Sequence, residues 1–149
     1  MKSKDYSVLI AVHATPDEAF KSINKVTKWW TENLEGSSAK LDDEFSVRFG
    51  DVHYSKQKLV EVVPGKKITW LVTDSKLNFI KDKQEWTGTK ITFEIFEKDN
   101  KTFIRFTHEG LVPGIECYGA CSNAWSEYIQ GSLLELVNTG KGQATALEK

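Results

Sequence analysis

The sequence predicts an α+β fold: a curved antiparallel sheet of six or seven strands closed around one long C-terminal helix, with two short helices beside it. Three observations lead there. Residues 118–137 carry an apolar stripe, Tyr118, Cys121, Trp125, Ile129 and Leu133 with Leu136 and Val137, in the steps of three and four that share one helix face. Nearly everything before them, apart from one short helical patch, alternates with the period of two that strands require. The long helix comes last, so it needs a concave sheet to lie in. That geometry leaves a cavity between helix and sheet, and it points to binding of a small apolar molecule.

Each element has its own justification. Tyr6, Val8, Ile10 and Val12 share one parity against Ser7 and His13, giving a strand with one buried face; Leu9 and Ala11 suggest partial cover on the other. Thr15-Pro16-Asp17-Glu18 opens a helix through Ala19, Phe20 and Ile23, with Thr15 as cap, Pro16 at the first position and Glu18 completing a capping box. Val26 to Trp30 makes a second short helical turn ending in Trp29-Trp30, and Gly36-Ser37-Ser38 breaks the chain. Phe45, Val47 and Phe49 form a strand that stops at Gly50-Asp51. Val52 to Val63 is the next strand, closed by the turn Pro64-Gly65, and Ile68, Trp70 and Val72 continue the pattern.

Asp74 to Gly88 is less regular; with Leu77, Phe79, Ile80 and Trp86 among charges it reads as a loop or irregular strand over the cavity mouth. Ile91, Phe93 and Ile95 form a strand, Glu97 to Lys101 a polar turn, and Phe103 to His108 the returning strand. On that strand Ile104, Phe106 and His108 share a face, while Arg105 and Thr107 point the other way. Pro113-Gly114 leads into the long helix, and Gly140-Lys141-Gly142 stops it. One domain over residues 1–140 and a mobile tail over 141–149 are expected.

Composition narrows the function. The 149 residues suit one domain with a real core, and the net charge of −1 argues against a nucleic-acid binder that relies on a basic field. Lys56, Lys58, Lys66 and Lys67 cluster, and the pattern is that of the solvated faces of a strand pair and its turn. No stretch approaches the ~18 apolar residues of a membrane span. The charged start, Met1 to Asp5, and the short apolar run Val8 to Val12 do not form a signal peptide, so a cytoplasmic protein is expected. Cys117 and Cys121, four apart, fit free thiols in that compartment.

The details resemble one branch of the START-like, helix-grip superfamily: homologues of the activator of the heat-shock-protein-90 ATPase. The residues that carry the likeness are Ala14 to Phe20, the pair Trp29-Trp30, Leu59 to Trp70, Phe106 to Gly110, and the helix with Trp125, Tyr128-Ile129 and Leu133-Leu134. The resemblance covers nearly the whole chain. It implies the helix-grip fold and a choice among lipid carriers, hormone receptors, polyketide cyclases and co-chaperone domains. The eukaryotic co-chaperone carries a separate N-terminal domain, whereas this sequence starts at the first strand, so chaperone activation is not the expected role.

The chemistry visible in the residues is sparse. His108 is the best polar candidate inside the cavity, either orienting a ligand or simply hydrogen-bonded to a neighbour. Glu109 has the opposite parity, which separates the two as an acid/base pair. Asp42, Asp43 and Glu44 read as a solvated loop, and Cys117 and Cys121 lack the two further ligands that a metal would need. No phosphate loop, nucleophile elbow or zinc-binding helix is present.

The expectation is therefore a non-catalytic binding protein, without metal or cofactor, for a hydrophobic or amphipathic molecule that is lipid-like or polycyclic aromatic. Its cavity is expected to be lined by Trp30, Trp70, Phe93, Phe106, His108, Tyr118, Cys121, Ser122, Trp125 and Ile129, with His108, Tyr118 and Ser122 orienting the ligand. The alternatives are a cyclase or aromatase-type enzyme using Tyr118 or His108 as acid, and a chaperone-associated or stress-response interaction domain.

Overall fold

The alternating segments pair into one seven-stranded sheet in the computed structural model, which describes residues 5–146. The strands are β1 (Tyr6–Val12), β2 (Leu34–Gly36), β3 (Glu44–Phe49), β4 (His53–Val63), β5 (Lys67–Leu77), β6 (Lys90–Lys98) and β7 (Lys101–Glu109). They lie in the order β1-β7-β6-β5-β4-β3-β2, and every neighbouring pair is antiparallel. Helices α1 (Pro16–Asn24) and α2 (Val26–Trp29) follow β1, and the long helical run closes the chain. This is the expected α+β arrangement of curved sheet, long C-terminal helix and two short helices. Met1–Lys4, the charged start, and Leu147–Lys149, the end of the expected tail, lie outside the described residues.

Register decides which side chains meet the helix. Tyr6 pairs His108, Val8 pairs Phe106 and Ile10 pairs Ile104; across the next ladder Ile91, Phe93 and Ile95 face the same three residues of β7. Side-chain direction alternates along each strand, so these rows form one apolar concave face. The other face is open: Leu9 is 48% exposed and Ala11 is also exposed, which corrects the partial cover suggested for them, because no element of the described residues packs there. Lys56, Lys58 and Lys67 lie on that side, paired with Glu44, Asp42 and Glu61 at the surface.

The capping box forms as its residue types require: Glu18 N–H donates to Thr15 Oγ1 at 3.1 Å and Thr15 N–H to Glu18 Oε1 at 2.9 Å. The short strand β2 was not visible in the sequence, because three residues ending at a glycine carry no alternation to read. The segment from Asp74 divides: its first four residues extend β5, and only the stretch beyond Leu77 is irregular. Gly110, after β7, has φ +102°, and a Cβ there would sit 2.6 Å from Thr89 Cγ2, so both backbone and space require glycine.

The long helix is helical throughout but not uniform. It runs as α3 (Tyr118–Glu127), a π-helical segment (Tyr128–Leu133) and α4 (Leu134–Thr139), and ends at left-handed Gly140. The wide turn adds a residue to the stripe. Ile129 and Leu133 stay buried, and Ser132 turns inward beside them. Ser132 Oγ donates to Trp29 C=O at 2.7 Å and accepts from Gln143 N–H at 2.7 Å.

That contact starts a docked C-terminal segment where a mobile one was expected. Thr145 exchanges backbone hydrogen bonds with Trp30 and Glu32, 3.0 and 2.9 Å long, and its hydroxyl meets Tyr128 Oη at 2.6 Å. Residues 141–146 thus gain partners that only the folded chain supplies.

Ser132→Ala is expected to strand the buried Trp29 carbonyl and the Gln143 N–H together. A loss of about 1–3 kcal/mol in urea denaturation, with faster amide exchange at Gln143 and Thr145, is the expected outcome.

Candidate functional site

Between the long helix and the β3–β4 end of the sheet lies a cleft of about 190 Å³. Trp30 forms its floor at the end of α2. Phe49 and His53 flank the β3–β4 turn, Phe79 and Trp86 come from the loop after β5, and Ala120, Cys121, Ala124, Trp125 and Tyr128 come from the helix. Among the described residues, no charged side chain borders it.

All five tryptophans join in one stack behind and around this cleft. Trp29 and Trp30 each pack on Trp70, with centroids 6.4 and 5.9 Å apart and planes within 16°. Trp30 meets Trp125 at 4.9 Å, and Trp125 stacks on Trp86 at 5.8 Å and 14°. Trp86 also stands edge-on to two imidazoles, half-buried His53 at 4.7 Å and buried His108 at 4.8 Å. Flat faces at these spacings bury a large apolar area and hold their geometry.

A one-way chain of donors fixes the centre. Trp125 Nε1–H donates to His108 Nδ1 at 3.0 Å. The histidine proton therefore sits on Nε2, 2.9 Å from Thr89 Oγ1, and the Thr89 hydroxyl donates to the Trp86 carbonyl at 2.6 Å. His108 is fully buried with both nitrogens occupied. Burial first, and His53 second, push its pKa down to about 3, so the ring stays neutral and can accept the indole proton. His53 is likewise pushed down to about 4 by burial.

The loop that carries Trp86 is tied to the start of the helix. Glu85 accepts the N–H of Glu116 at 3.1 Å and of Cys117 at 2.9 Å, placing a carboxylate at the positive end of α3. Just inside, both cysteines are free and buried. The Cys117 thiol hydrogen-bonds Cys121, which lowers the Cys121 pKa and raises that of Cys117. Among the described residues, no group of three or more His, Cys, Asp or Glu could hold a metal ion.

Of the ten residues expected to line a cavity, Trp30, Cys121 and Trp125 border the cleft. Trp70, Phe93, Phe106 and Ile129 are sealed in the core beneath it, and His108 lies behind Trp86 and Trp125. Tyr118 packs half-buried against the core edge, and the Ser122 hydroxyl donates to Gly119 C=O at 3.3 Å. Phe79 and Trp86 border the cleft from the segment expected over the cavity mouth, whereas Phe49, His53, Ala120, Ala124 and Tyr128 were not marked by the sequence. One signal was available for His53: with Ser55, Gln57 and Leu59 it shares the inward parity of its strand.

A curved sheet gripping a C-terminal helix, with a cleft at their junction, defines a START-like, helix-grip protein. The chain belongs to the family described as Activator of Hsp90 ATPase homolog 1-like protein, whose model matches residues 18–138. Among solved structures it is similar to the Aha1 dimer of Colwellia psychrerythraea, at 24% identity and TM-score 0.72, covering 93% of this chain and 99% of that one. It is also similar to CalU16 of Micromonospora echinospora, at 11% identity and TM-score 0.64, covering 91% and 76%. DynU16, of the dynemicin biosynthetic locus, matches at 15% identity and TM-score 0.66, covering 95% of this chain and 49% of that one. At these identities the likeness is one of fold. No curated protein matches the sequence. Among the described residues, no helix is long and apolar enough to cross a membrane.

Two predictions come from this geometry. Cys121 borders the cleft and has the lowered pKa, so a small alkylating reagent is expected to modify Cys121 before Cys117, read by peptide mass spectrometry. The second concerns pH. His53 and His108 have folded pKa values below the ordinary ~6.5, so the unfolded chain binds the extra protons as pH falls below that value. Their contribution is complete above about pH 7 and is lost toward about pH 4, so the urea midpoint should fall between about pH 7.5 and pH 5. His53→Phe should flatten that fall.

Proposed function

We propose that this protein is a cytoplasmic, non-catalytic binder of a small hydrophobic or amphipathic molecule held in the cleft between helix and sheet. The carrying observation is an uncharged, aromatic-walled cleft that opens where exposed Phe79, Ala120 and Ala124 meet solvent. Burial of apolar ligand surface would supply the affinity, at roughly 25 cal/mol per Å² before the costs of association.

Size refines the ligand. The volume of about 190 Å³ lies below the roughly 300–1,000 Å³ of pockets for drug-sized molecules. It suits one aromatic ring or a short alkyl group. A long acyl chain or polycyclic ligand needs the Phe79 loop to move first. The cyclase alternative needs an acid facing the substrate. His108 is bonded at both nitrogens, and neither it nor Tyr118 borders the cleft, which favours binding over catalysis. The chaperone-partner alternative draws on the family and on two exposed apolar side chains, Phe79 at the cleft and Val52 in the β3–β4 turn, 43% and 53% exposed.

Tryptophan fluorescence tests the reading. Toluene should give a saturable change, because the ring enters among Trp30, Trp86 and Trp125, whereas stearate should give none. Ala124→Phe places a ring in the mouth at an exposed position; it should abolish the toluene response while changing stability by no more than about 0.5 kcal/mol. No saturable response to toluene, or an unchanged response in Ala124→Phe, would count against the cleft as a ligand site.

A further inference from the structure

The cleft is apolar, yet one wall ends a buried line of polar groups. His53, Ser55 and Gln57 occupy alternate positions on the inner face of β4, and Ser55 and Gln57 are fully buried. Gln57 Nε2–H donates to Ser55 Oγ at 2.6 Å, and Ser55 Oγ lies 2.9 Å from His53 Nε2. With Gln57 donating through Nε2, the one hydroxyl proton of Ser55 is directed to His53 Nε2, while Gln57 Oε1, turned away, is left without a hydrogen-bond partner. A serine that accepted from both neighbours would leave that proton unpaired inside the protein, at a cost of about 1–3 kcal/mol. Nε2 is therefore the acceptor in this pair, and the proton of the neutral imidazole sits on Nδ1.

Nδ1 makes no hydrogen bond among the described residues, and it is not one of the enclosed polar atoms left without a partner. His53 itself borders the cleft. It thus brings an accessible N–H donor to a cleft whose other walls are mainly hydrocarbon. The Trp86 indole N–H is enclosed behind the wall, so His53 is the donor that this wall presents to the cleft. The described residues of the walls carry no charge. An ionised ligand would lose its hydration there without a counter-charge.

We propose that the cleft is a site for a neutral, single-ring aromatic molecule bearing a carbonyl-type oxygen, which accepts a hydrogen bond from His53 Nδ1–H. The proposal rests on the reading of the cleft as a ligand site and adds the polarity of the ligand to it. The aromatic walls hold the ring, and the Ser55–Gln57 pair positions the donor by fixing the tautomer. A hydrocarbon of the same shape fills the space and leaves the donor unmet. A carboxylate is excluded.

Acetophenone and α-methylstyrene test this, because they share a shape and differ in C=O against C=CH2. Each is titrated into the wild-type protein and into His53→Phe, with benzoate as the charged control, and binding is followed by proton–nitrogen correlation spectra. The expected result is that both neutral compounds bind and benzoate does not. In His53→Phe the ratio of the two Kd values should shift by about fivefold towards α-methylstyrene. An unchanged ratio overturns the hydrogen bond to His53 while leaving the cleft a ligand site. Binding of neither compound to the wild type overturns the ligand-site reading itself. A long-range proton–nitrogen spectrum of the unliganded wild type checks the tautomer independently of any variant: Nδ1 protonated supports the proposal, and Nε2 protonated overturns it.

Discussion

The hydrogen bond from Trp125 to His108 is the constraint on which the rest of the site depends. It joins the middle of the gripping helix to the inner face of β7. It works only if His108 is neutral, since an imidazolium has no lone pair to offer. Burial supplies that neutrality, and the same burial would be costly for an unpaired ring, so the acceptor role and the sealed position require one another. The remaining proton passes the constraint to Thr89, and through Thr89 to the Trp86 backbone. One imidazole thereby sets the helix, the strand and the cleft loop in a single arrangement.

The tryptophan stack turns that arrangement into a cleft of limited size. In a sheet-and-helix grip of this kind the interior is a potential cavity, and here Trp29, Trp70, Phe93 and Phe106 fill most of it. What remains open is the mouth, where small Ala120 and Ala124 on the helix leave room opposite Phe49 and Phe79. The π-helical turn matters at this edge. It begins at Tyr128, a wall residue, and turns Ser132 inward to hold both α2 and the docked C-terminal segment. The same side of the cleft is therefore braced from behind by Thr145 on Tyr128.

Family membership and site geometry answer different questions. The family and its structural relatives account for the fold, including the long helix and the sheet order. They leave function to the side chains at the mouth, because one scaffold supports binding, catalysis and partner recognition alike. Among the described residues those side chains are aromatic or small, with one histidine and no charge, and that set is the basis for reading the cleft as a binding site.

The sequence by itself determined most of the secondary structure and the facing of its side chains, because hydrophobic periodicity is a local signal; β2, the end of β5 and the π-helical turn carry no such pattern. The parity of Ile104, Phe106 and His108, the capping box at Thr15 and the stripe through Cys121, Trp125 and Ile129 all appear in the structure where their spacing put them. Only the tertiary structure decided which inward residues would be sealed and which would meet open space. Phe106 and Trp125 look alike in a pattern of apolar positions, yet one lies in the core and the other borders the cleft, according to how rings from distant segments fill the grip. His53 shows the same division: its inward parity was legible, but its place at the mouth depends on Trp86, Phe49 and Trp30 arriving from three other elements. The docking of residues 143–146 depends likewise on partners at Trp30, far back in the chain, and at Ser132 across the helix stop, which no local pattern encodes.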